Sequence, residues 1–239
     1  MSKEVMIVTG AGQISLAIAR RMGRGKKIIL GDKSKENAAA IADILTKAGF
    51  DVEPVVMDMS DRASIQAMVE KAQSCGEVTA MVCGVGVVIS SQSGHRMPAL
   101  TPEQDRALAM TPTEELLSLD FLQPDKIRDT LHAYQLAKRC NEKRTMYEAV
   151  RWGERGARIN DIAPGIIVTP LAIDEFNGPR GDFYKNMFAK CPAGRPGTAD
   201  EVADVAELLM SERAQFITGA TFLVDGGATA SFYYGPLQP

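Results

Sequence analysis

The fold is decided near the start of the chain, where residues 5–15 read Val-Met-Ile-Val-Thr-Gly-Ala-Gly-Gln-Ile-Ser. The apolar residues 5–8 predict a short buried strand of a parallel sheet. The next residues fit the pattern G-x-G-x-x-G with Ser15 in the third glycine position, and a helical pattern follows as far as Met22. A strand, a glycine-rich turn and a helix in this order indicate a dinucleotide-binding unit, although an ordinary glycine-rich turn fits the same letters.

The two glycines of this turn have separate uses in phosphate binding. Gly10 allows the tight turn, and Gly12 lets a pyrophosphate approach the backbone closely. The helix then opens with the N–H groups of Gln13 and Ile14, which have no partner inside the helix and can bind phosphates. We therefore expect these four residues to hold the diphosphate of a dinucleotide.

An acidic residue, Asp32, follows the second predicted strand, about 20 residues beyond the turn. A carboxylate at this place bonds the ribose hydroxyls of NAD and repels the 2′-phosphate of NADP. Lys33 comes next, and a cation there favours NADP unless it is simply a solvated charge. We expect a preference for NAD(H), with NADP(H) kept as the alternative.

Strands and helices alternate regularly over the first third of the chain. After the first strand, apolar runs predict strands at 27–30, 52–57 and 78–82, and amphipathic patterns predict helices capped by Ser34 and Ser60. Later in the chain we expect strands at 158–162 and 217–224, a helix at 199–210 and irregular structure at 171–196. The alternation predicts an α/β fold with a doubly wound parallel sheet, in a single domain that spans residues 1–239.

The alternation breaks between the fourth and fifth strands. Residues 78–82 and 85–89 both predict strands, but only Cys83 and Gly84 separate them. Parallel neighbours need a crossover of about a dozen residues or more, usually a helix. Either the two runs form one long strand or a crossover helix is missing, and the order of the other motifs favours the missing helix.

Composition limits the classes of function. The 239 residues carry a net charge of −3 without a large basic block, which argues against nucleic acid as a partner. No apolar run is long enough to span a bilayer and the first residues lack the shape of a signal peptide, so we expect a cytoplasmic protein without a membrane partner. Four cysteines without metal spacing and only two histidines argue against a metal site.

One helical pattern carries a tyrosine and a lysine four residues apart, Tyr134 and Lys138. Residues at this spacing share a helix face, so the ammonium group can stabilise the phenolate. A tyrosine of ordinary pKa, about 10, is a poor proton carrier at neutral pH, and an adjacent cation makes it a usable general acid–base. A serine ahead of them, in the run 90–93, can hold a carbonyl oxygen. With a hydride carrier, this set predicts interconversion of an alcohol and a ketone.

Residues 95–133 form a long segment rich in proline, threonine and acidic residues. We expect an insertion here, with helices capped by Thr113 and Asp125. Long ordered loops are often lids or binding loops. Two interpretations stay open, a surface insertion packed on itself and a wall over an apolar substrate.

Together these motifs resemble the short-chain dehydrogenase/reductase family in its short single-domain form. The resemblance spans nearly the whole chain and rests on Thr9-Gly10-x-Gly12, Asp58, Ser91, Tyr134-x-x-x-Lys138, Pro164-Gly165 and Asp225-Gly226-Gly227. It implies a Rossmann-like fold and hydride transfer between a nicotinamide cofactor and a small alcohol or ketone.

The resemblance also implies a role for each matching residue. Tyr134 would be the general acid–base, Lys138 would stabilise its phenolate and bind the nicotinamide ribose, and Ser91 would orient the substrate oxygen. Ser91 is preferred to Ser90 and Ser93 because the family's serine lies three residues before a glycine, here Gly94. The other implied cofactor contacts are Asp58 and Met59 at the adenine, and Pro164, Gly165, Ile167 and Thr169 at the nicotinamide.

Other functions share parts of this pattern. Sugar-nucleotide epimerases and dehydratases use the same tyrosine–lysine pair but usually carry a larger C-terminal substrate domain. Enoyl reductases place the lysine seven residues after the tyrosine. A catalytically weakened or silent nucleotide-binding protein is the main alternative to an oxidoreductase, and the broken crossover is the feature that favours it.

The C-terminal residues 232–237 include three aromatic side chains, which is unusual because free termini are mostly polar. We expect this tail to pack on a neighbouring subunit of a homo-oligomer or over the substrate pocket. Packing on its own domain is the alternative.

Overall fold

The computed structural model describes residues 3–83 and 89–239. The strands are β1 (Glu4–Thr9), β2 (Lys27–Asp32), β3 (Asp51–Val56), β4 (Glu77–Cys83), β5 (Asp161–Pro164) and β6 (Thr221–Val224). The α-helices are α1 (Gln13–Met22), α2 (Lys35–Lys47), α3 (Arg62–Cys75), α4 (Gln92–His95), α5 (Pro102–Met110), α6 (Thr130–Gly153), α7 (Pro170–Asn177), α8 (Gly181–Lys190), α9 (Ala199–Met210) and α10 (Ala228–Tyr234). These residues group into two compact units: unit 1 holds 3–83 and 199–213, and unit 2 holds 89–198 and 214–239.

Unit 1 is built on a four-stranded parallel sheet in the order β3-β2-β1-β4. Alternate side chains of these strands point to opposite faces of the sheet. On one face, Val5 and Ile7 pack with Met68 of α3 in a buried apolar cluster. On the other face, Ile28 lies against Gly23 at the end of α1. Helices therefore cover both faces, and the prediction of a doubly wound parallel α/β fold is confirmed.

Helix α9 belongs to unit 1, where the guanidinium of Arg21 on α1 forms ion pairs with two of its acidic residues. The Nη1 atom of Arg21 lies 2.6 Å from Asp200 Oδ1, and its Nη2 atom lies 2.7 Å from Asp204 Oδ1. Both acidic residues are in the first half of α9. The predicted helix at 199–210 is present with the same bounds.

Of the two helix caps predicted in unit 1, one is present and the other is a different residue. Ser34 caps α2, since its Oγ accepts a hydrogen bond of 3.1 Å from Asn37 N–H. Ser60 was predicted to cap α3, but the cap is Asp61, whose Oδ1 accepts from Ala63 N–H at 2.9 Å. The Ser60 hydroxyl is used elsewhere, because it donates to Asp58 at 2.7 Å.

Unit 2 contains a shorter parallel sheet of β5 and β6, and Ile89 makes a parallel bridge to Ile162 of β5. Both strands start later than the predicted 158–162 and 217–224. The side chain of Asn160 explains the difference, because its amide donates to Ile217 O at 2.9 Å and accepts from Ala220 N–H at 3.2 Å. These side-chain bonds occupy backbone groups ahead of β6, and the residue that makes them directly precedes β5.

The prediction of irregular structure at 171–196 is wrong, because α7 and α8 lie there. Thr169 caps α7 by accepting from Ala172 N–H at 3.2 Å, and Pro170 stands at its first position, a favoured helix start. The ring of Phe176 on α7 meets the rings of Tyr184 and Phe188 on α8 edge-on, each at a centroid distance of 5.3 Å. Aromatic packing therefore orders a stretch whose sequence is not strongly periodic.

The segment 95–133 is more helical than predicted. Helix α5 begins with a capping box in which Thr101 and Gln104 bond each other's backbone N–H groups. The helix predicted after Thr113 is only a pair of short 3-10 turns, at Leu116–Ser118 and Asp120–Leu122. The cap predicted at Asp125 is displaced to Asp129, and α6 begins at Thr130.

Helix α5 packs on α6 within unit 2. Leu108 on α5 is almost fully buried, and Asp105 accepts hydrogen bonds of 3.0 and 2.7 Å from Arg139 on α6. The part of the predicted insertion that α5 forms is therefore fixed against the helix that carries Tyr134 and Lys138.

The C-terminal tail forms α10, which packs within unit 2. The hydroxyl of Tyr233 donates to His95 O at 2.5 Å, and the guanidinium of Arg96 lies 5.7 Å from the centroid of the Phe232 ring. The tail therefore contacts its own unit of the chain, which is the alternative interpretation given above. The homo-oligomer stays a prediction.

The missing crossover and the strand predicted at 85–89 fall on residues outside the described ones, apart from Ile89. The single domain over 1–239 likewise stays a prediction. Among the described helices, none combines the length and apolarity that a membrane span requires.

Candidate functional site

The glycine-rich turn of unit 1 lies between β1 and α1. Gly10 has a φ of 77°, which an L side chain rarely adopts, and its N–H donates to Gly31 O at 2.8 Å. Gly12 is the N-cap residue of α1, so no side chain caps the first N–H groups of this helix. A Cβ placed at Gly12 would meet no atom within 4 Å. Ser15, in the third glycine position, is buried. The first N–H groups of α1, at Gln13 and Ile14, therefore follow a glycine with open space around it, and the N-terminus of a helix is suited to binding phosphate.

Asp32 is held in a fixed orientation at the end of β2. Its Oδ2 accepts from Ala11 N–H at 2.8 Å and from the Asn37 amide at 3.2 Å, and its Oδ1 accepts from Ser34 N–H at 2.9 Å. The carboxylate is thus tied to the glycine-rich turn and to the start of α2. A carboxylate in this place can receive the two hydroxyls of a ribose.

Lys33 is bonded to Asp58. Its Nζ lies 2.8 Å from Asp58 Oδ2, and Ser60 donates to the other carboxylate oxygen through its N–H and hydroxyl. The Lys33 ammonium has the largest effect on the pKa of the Asp58 carboxyl, and together with the Ser60 donors it holds that pKa well below its ordinary value. Met59, the other residue predicted at the adenine, lies half-buried against the apolar cluster of unit 1.

In unit 2, Ser91 is the N-cap of α4. It is 8% exposed, and its Oγ accepts a hydrogen bond of 3.2 Å from Ser93 N–H. The neighbouring Ser90 has a different partner, because its hydroxyl donates to Asp161 at 2.5 Å. The two serines therefore have distinct environments, and Ser91 is the one that uses its oxygen as an acceptor toward α4.

Tyr134 and Lys138 lie on one face of α6, as their spacing predicted. Tyr134 is 45% exposed, and the Lys138 Nζ lies 5.5 Å from the centroid of its ring. The same Nζ donates to Ile89 O at 3.1 Å, two residues before Ser91. Burial lowers the pKa of Lys138, and the charge of Asp161 opposes that shift. The structure thus brings Lys138 to Tyr134 and to the segment that carries Ser91.

The residues predicted around the nicotinamide follow β5. Pro164 is the last residue of β5, and Gly165 donates its N–H to Val224 O at 2.9 Å. A Cβ at Gly165 would lie 2.7 Å from the Cα of Asp225, so a glycine is required there. Ile167 is buried and bridges Gly197, and Thr169 is the cap of α7.

The predicted residues thus form one set in each unit. Unit 1 carries Gly10, Gly12, Gln13, Ile14, Asp32, Asp58 and Met59, and unit 2 carries Ser91, Tyr134, Lys138, Pro164, Gly165, Ile167 and Thr169. Sequence reasoning missed Asn37, which contacts Asp32, and Asp161, which contacts Ser90 next to Ser91. Asn37 binds the Asp32 carboxylate without any signal in the sequence, whereas Asp161 is a charged residue within the predicted strand 158–162.

Comparisons with known proteins show the family of the chain. Residues 4–108 match the family described as short chain dehydrogenase, and residues 97–229 match that described as enoyl-(acyl carrier protein) reductase. The chain is 32% identical to a short-chain dehydrogenase/reductase of Alternaria brassicicola over 267 residues, which cover 96% of this chain and 97% of that protein. That alignment is longer than the present chain, so the relative has residues without a counterpart here.

Two further comparisons cover most of the chain. A 2-(S)-hydroxypropyl-CoM dehydrogenase of Xanthobacter autotrophicus is 28% identical, with 96% of this chain and 98% of that protein covered. The crystal structure of an actinorhodin polyketide ketoreductase with NADPH has the same fold, with a TM-score of 0.70 at 21% identity and coverage of 95% and 97%. The chain therefore belongs to the short-chain dehydrogenase/reductase family and is an oxidoreductase that transfers hydride with a nicotinamide cofactor.

Proposed function

We propose that the protein interconverts an alcohol and a ketone with NAD(H), and that Ser91, Tyr134 and Lys138 are its catalytic residues. One observation carries this assignment: the Lys138 ammonium lies 5.5 Å from the centroid of the Tyr134 ring, while Tyr134 is 45% exposed. A general acid–base needs both the neighbouring charge and access to a substrate.

Each catalytic side chain has one task in alcohol oxidation. The Tyr134 phenolate takes the proton of the substrate hydroxyl, and Lys138 stabilises the phenolate before that transfer. The Oγ of Ser91 accepts from Ser93 N–H, which leaves its hydroxyl proton available to the substrate oxygen. A bound nicotinamide would supply the hydride acceptor for the carbon that bears this hydroxyl. In ketone reduction the proton moves from Tyr134 to the substrate oxygen.

The remaining predicted residues are assigned to the cofactor. Gly10, Gly12 and the first N–H groups of α1 bind the diphosphate, and Asp32 binds the ribose hydroxyls of the adenosine half. The preference for NAD(H) is supported by the ion pair of Lys33 with Asp58, which draws the cation away from a 2′-phosphate. Further contacts are assigned to Asp58 and Met59 at the adenine and to Pro164, Gly165, Ile167 and Thr169 at the nicotinamide.

The substrate is proposed to be a small and largely apolar alcohol or ketone. The Xanthobacter relative is named for a hydroxypropyl compound, which is consistent with this class. A cytoplasmic location is supported by Cys75, Cys140 and Cys191, which are free thiols, since thiols persist in reducing compartments. A homo-oligomer is supported by Met146 and Val150, which are 55% and 69% exposed one turn apart on α6.

The test is the variant Tyr134→Phe, with Tyr147→Phe on the same helix as its matched control. Tyr134→Phe should lose turnover of a panel of ketones by at least about a hundredfold, because only the proton-transferring hydroxyl is removed. Its NADH affinity, measured by fluorescence quenching, should match that of the wild type. Turnover retained in Tyr134→Phe contradicts the assignment, and a wild-type protein that binds NADH but turns over nothing in the panel supports the silent alternative.

A further inference from the structure

A buried carboxylate lies beside the segment that carries Ser91. Asp161, the first residue of β5, has no exposed surface. It accepts hydrogen bonds from Ser90 N–H at 3.0 Å and from the Ser90 hydroxyl at 2.5 Å. An unpaired carboxylate in such a place is strongly unfavourable, so these donors and a nearby cation are needed to keep it there.

The backbone on either side of Ser90 is held from two directions. Lys138 on α6 donates to Ile89 O at 3.1 Å, immediately before Ser90. Asp161 on β5 accepts from both donors of Ser90, immediately before Ser91, and shares them with Ile162 O, which lies 2.9 Å from the Ser90 N–H and 3.4 Å from its hydroxyl. The lysine and the aspartate thus act on adjacent residues of one short segment, and the position of the Ser91 hydroxyl depends on both.

We propose that Asp161 is a positioning residue for the reaction, which fixes the Ser90–Ser91 turn through Ser90, next to the Ile89 carbonyl that Lys138 bonds. The inference rests on the roles proposed above for Ser91 and Lys138. Asp161 touches neither substrate nor cofactor in this assignment and acts only through its neighbours.

The charge state of Asp161 depends on its surroundings. Burial raises its pKa to about 6, and the Ser90 donors, Thr221 on β6 and the Lys138 ammonium oppose that shift. Glu142, one turn beyond Lys138 on α6, is a further titratable group that its charge affects. Above about pH 6 Asp161 is therefore ionised, and its charge opposes the effect of burial on the pKa of Lys138.

The decisive variant is Asp161→Asn, which keeps the shape and removes the charge. We expect kcat to fall about tenfold while NADH affinity stays within about twofold of the wild type, because a small displacement of a catalytic group is costly. Removal of a buried negative charge makes deprotonation easier for the groups it faces. The high-pH limb of kcat/KM for alcohol oxidation should therefore move down by about one unit.

Two companion variants separate charge from position. Ser90→Ala removes a hydrogen bond and keeps the charge, so it should lower kcat without moving the pH limb. Glu142→Gln removes a buried carboxyl that has no bond to Ser90 and is largely protonated at neutral pH, so it should leave kcat at neutral pH unchanged. These measurements use the full chain, with cyclohexanone and cyclohexanol as probe substrates and thermal unfolding to verify that each variant is folded.

The outcomes are distinct. Folded Asp161→Asn with wild-type kcat and pH limb overturns the inference. If Asp161→Asn does not fold, Ser90→Ala decides, and an unchanged kcat in that variant overturns it. Turnover retained in Tyr134→Phe instead overturns the proposed function, whereas an inactive Tyr134→Phe beside a wild-type-like Asp161→Asn overturns only the role of Asp161.

Discussion

The Nζ atom of Lys33 lies 2.8 Å from the Oδ2 atom of Asp58. This contact bears on cofactor choice, because Lys33 directly follows Asp32, the residue that would face the adenosine ribose. A free cation at this place would attract the 2′-phosphate of NADP. Because Lys33 is paired with Asp58, the Asp32 carboxylate is the charge that determines the choice between NAD and NADP.

Cofactor preference should therefore follow Asp32 and not Lys33. Asp32→Asn removes the charge that accepts the ribose hydroxyls, and we expect its kcat/KM with NADH to fall about ten- to a hundredfold relative to that with NADPH. Lys33→Ala is the matched control and should leave the ratio of the two values nearly unchanged. A ratio that responds to Lys33→Ala as strongly as to Asp32→Asn would show that the lysine contacts the cofactor.

Removal of the Lys138 ammonium should abolish turnover more completely than it weakens cofactor binding. Lys138→Met keeps the apolar stem on α6 but loses the cation over Tyr134 and the bond to Ile89 O. We expect a loss of at least about a hundredfold in kcat at neutral pH, with a smaller loss in alkaline alcohol oxidation, where a tyrosine ionises without help. Lys143→Met, on the same helix, is the control, and an equal loss in both variants would argue against a specific role.

The tail prediction concerns two neighbouring tyrosines with different surroundings. Tyr233 donates to His95 O at 2.5 Å, whereas Tyr234 is 90% exposed. Tyr233→Phe should lower the free energy of unfolding by about 0.5–1.5 kcal/mol, measured in urea, because one hydrogen bond is lost. Tyr234→Phe should leave it unchanged, and equal effects would mean that the Tyr233 bond does not contribute.

The sequence predicted the parts of the fold that local patterns encode. Short apolar runs identified the strands of the sheet in unit 1, and the four-residue spacing placed Tyr134 and Lys138 on one helix face. These features depend only on periodicity, glycine turns and side-chain direction, which are visible in single segments.

The helices and the buried carboxylate that the sequence did not predict depend on contacts between segments. Helix α8 is held by rings of α7, and α5 by the Asp105–Arg139 pair, and neither partner can be identified from the segment alone. The capping box at Thr101 was a visible signal that was missed. Asp161 was visible as a charged residue within a predicted strand, but its bond to Ser90 joins residues far apart in sequence.

A second buried carboxyl, Glu142, should make the stability of the protein depend on pH. Its side chain is 4% exposed, its Oε1 lies 3.3 Å from His95 Nε2, and its Oε2 lies 3.5 Å from Arg139 Nη1. Burial, together with the charge of Asp161, raises the pKa of Glu142 to about 8 against the opposing charge of Arg139. Burial also lowers the pKa of His95. At neutral pH the contact therefore joins a largely protonated carboxyl and a neutral imidazole.

The sign of the effect follows from where the proton is held. In the unfolded chain Glu142 releases its proton near its ordinary pKa of 4.5, whereas the folded protein keeps it up to about pH 8. Between these values the folded state binds the extra proton, so stability falls as pH rises and stays low above about pH 8. Glu142→Gln cannot titrate and should escape this loss.

We therefore expect Glu142→Gln to be more stable relative to the wild type at alkaline than at acid pH. The difference in free energy of unfolding should grow by a few kcal/mol, roughly 3, between about pH 4.5 and 8, a value below the full shift because the unfolded and folded states both relax. Urea unfolding at a series of pH values measures it, with the more exposed Glu148→Gln on the same helix as the control. A constant energetic cost of the new amide would change the difference in free energy of unfolding equally at every pH, so the dependence of that difference on pH would remain. A difference that does not change with pH would show that Glu142 is ionised in the folded protein.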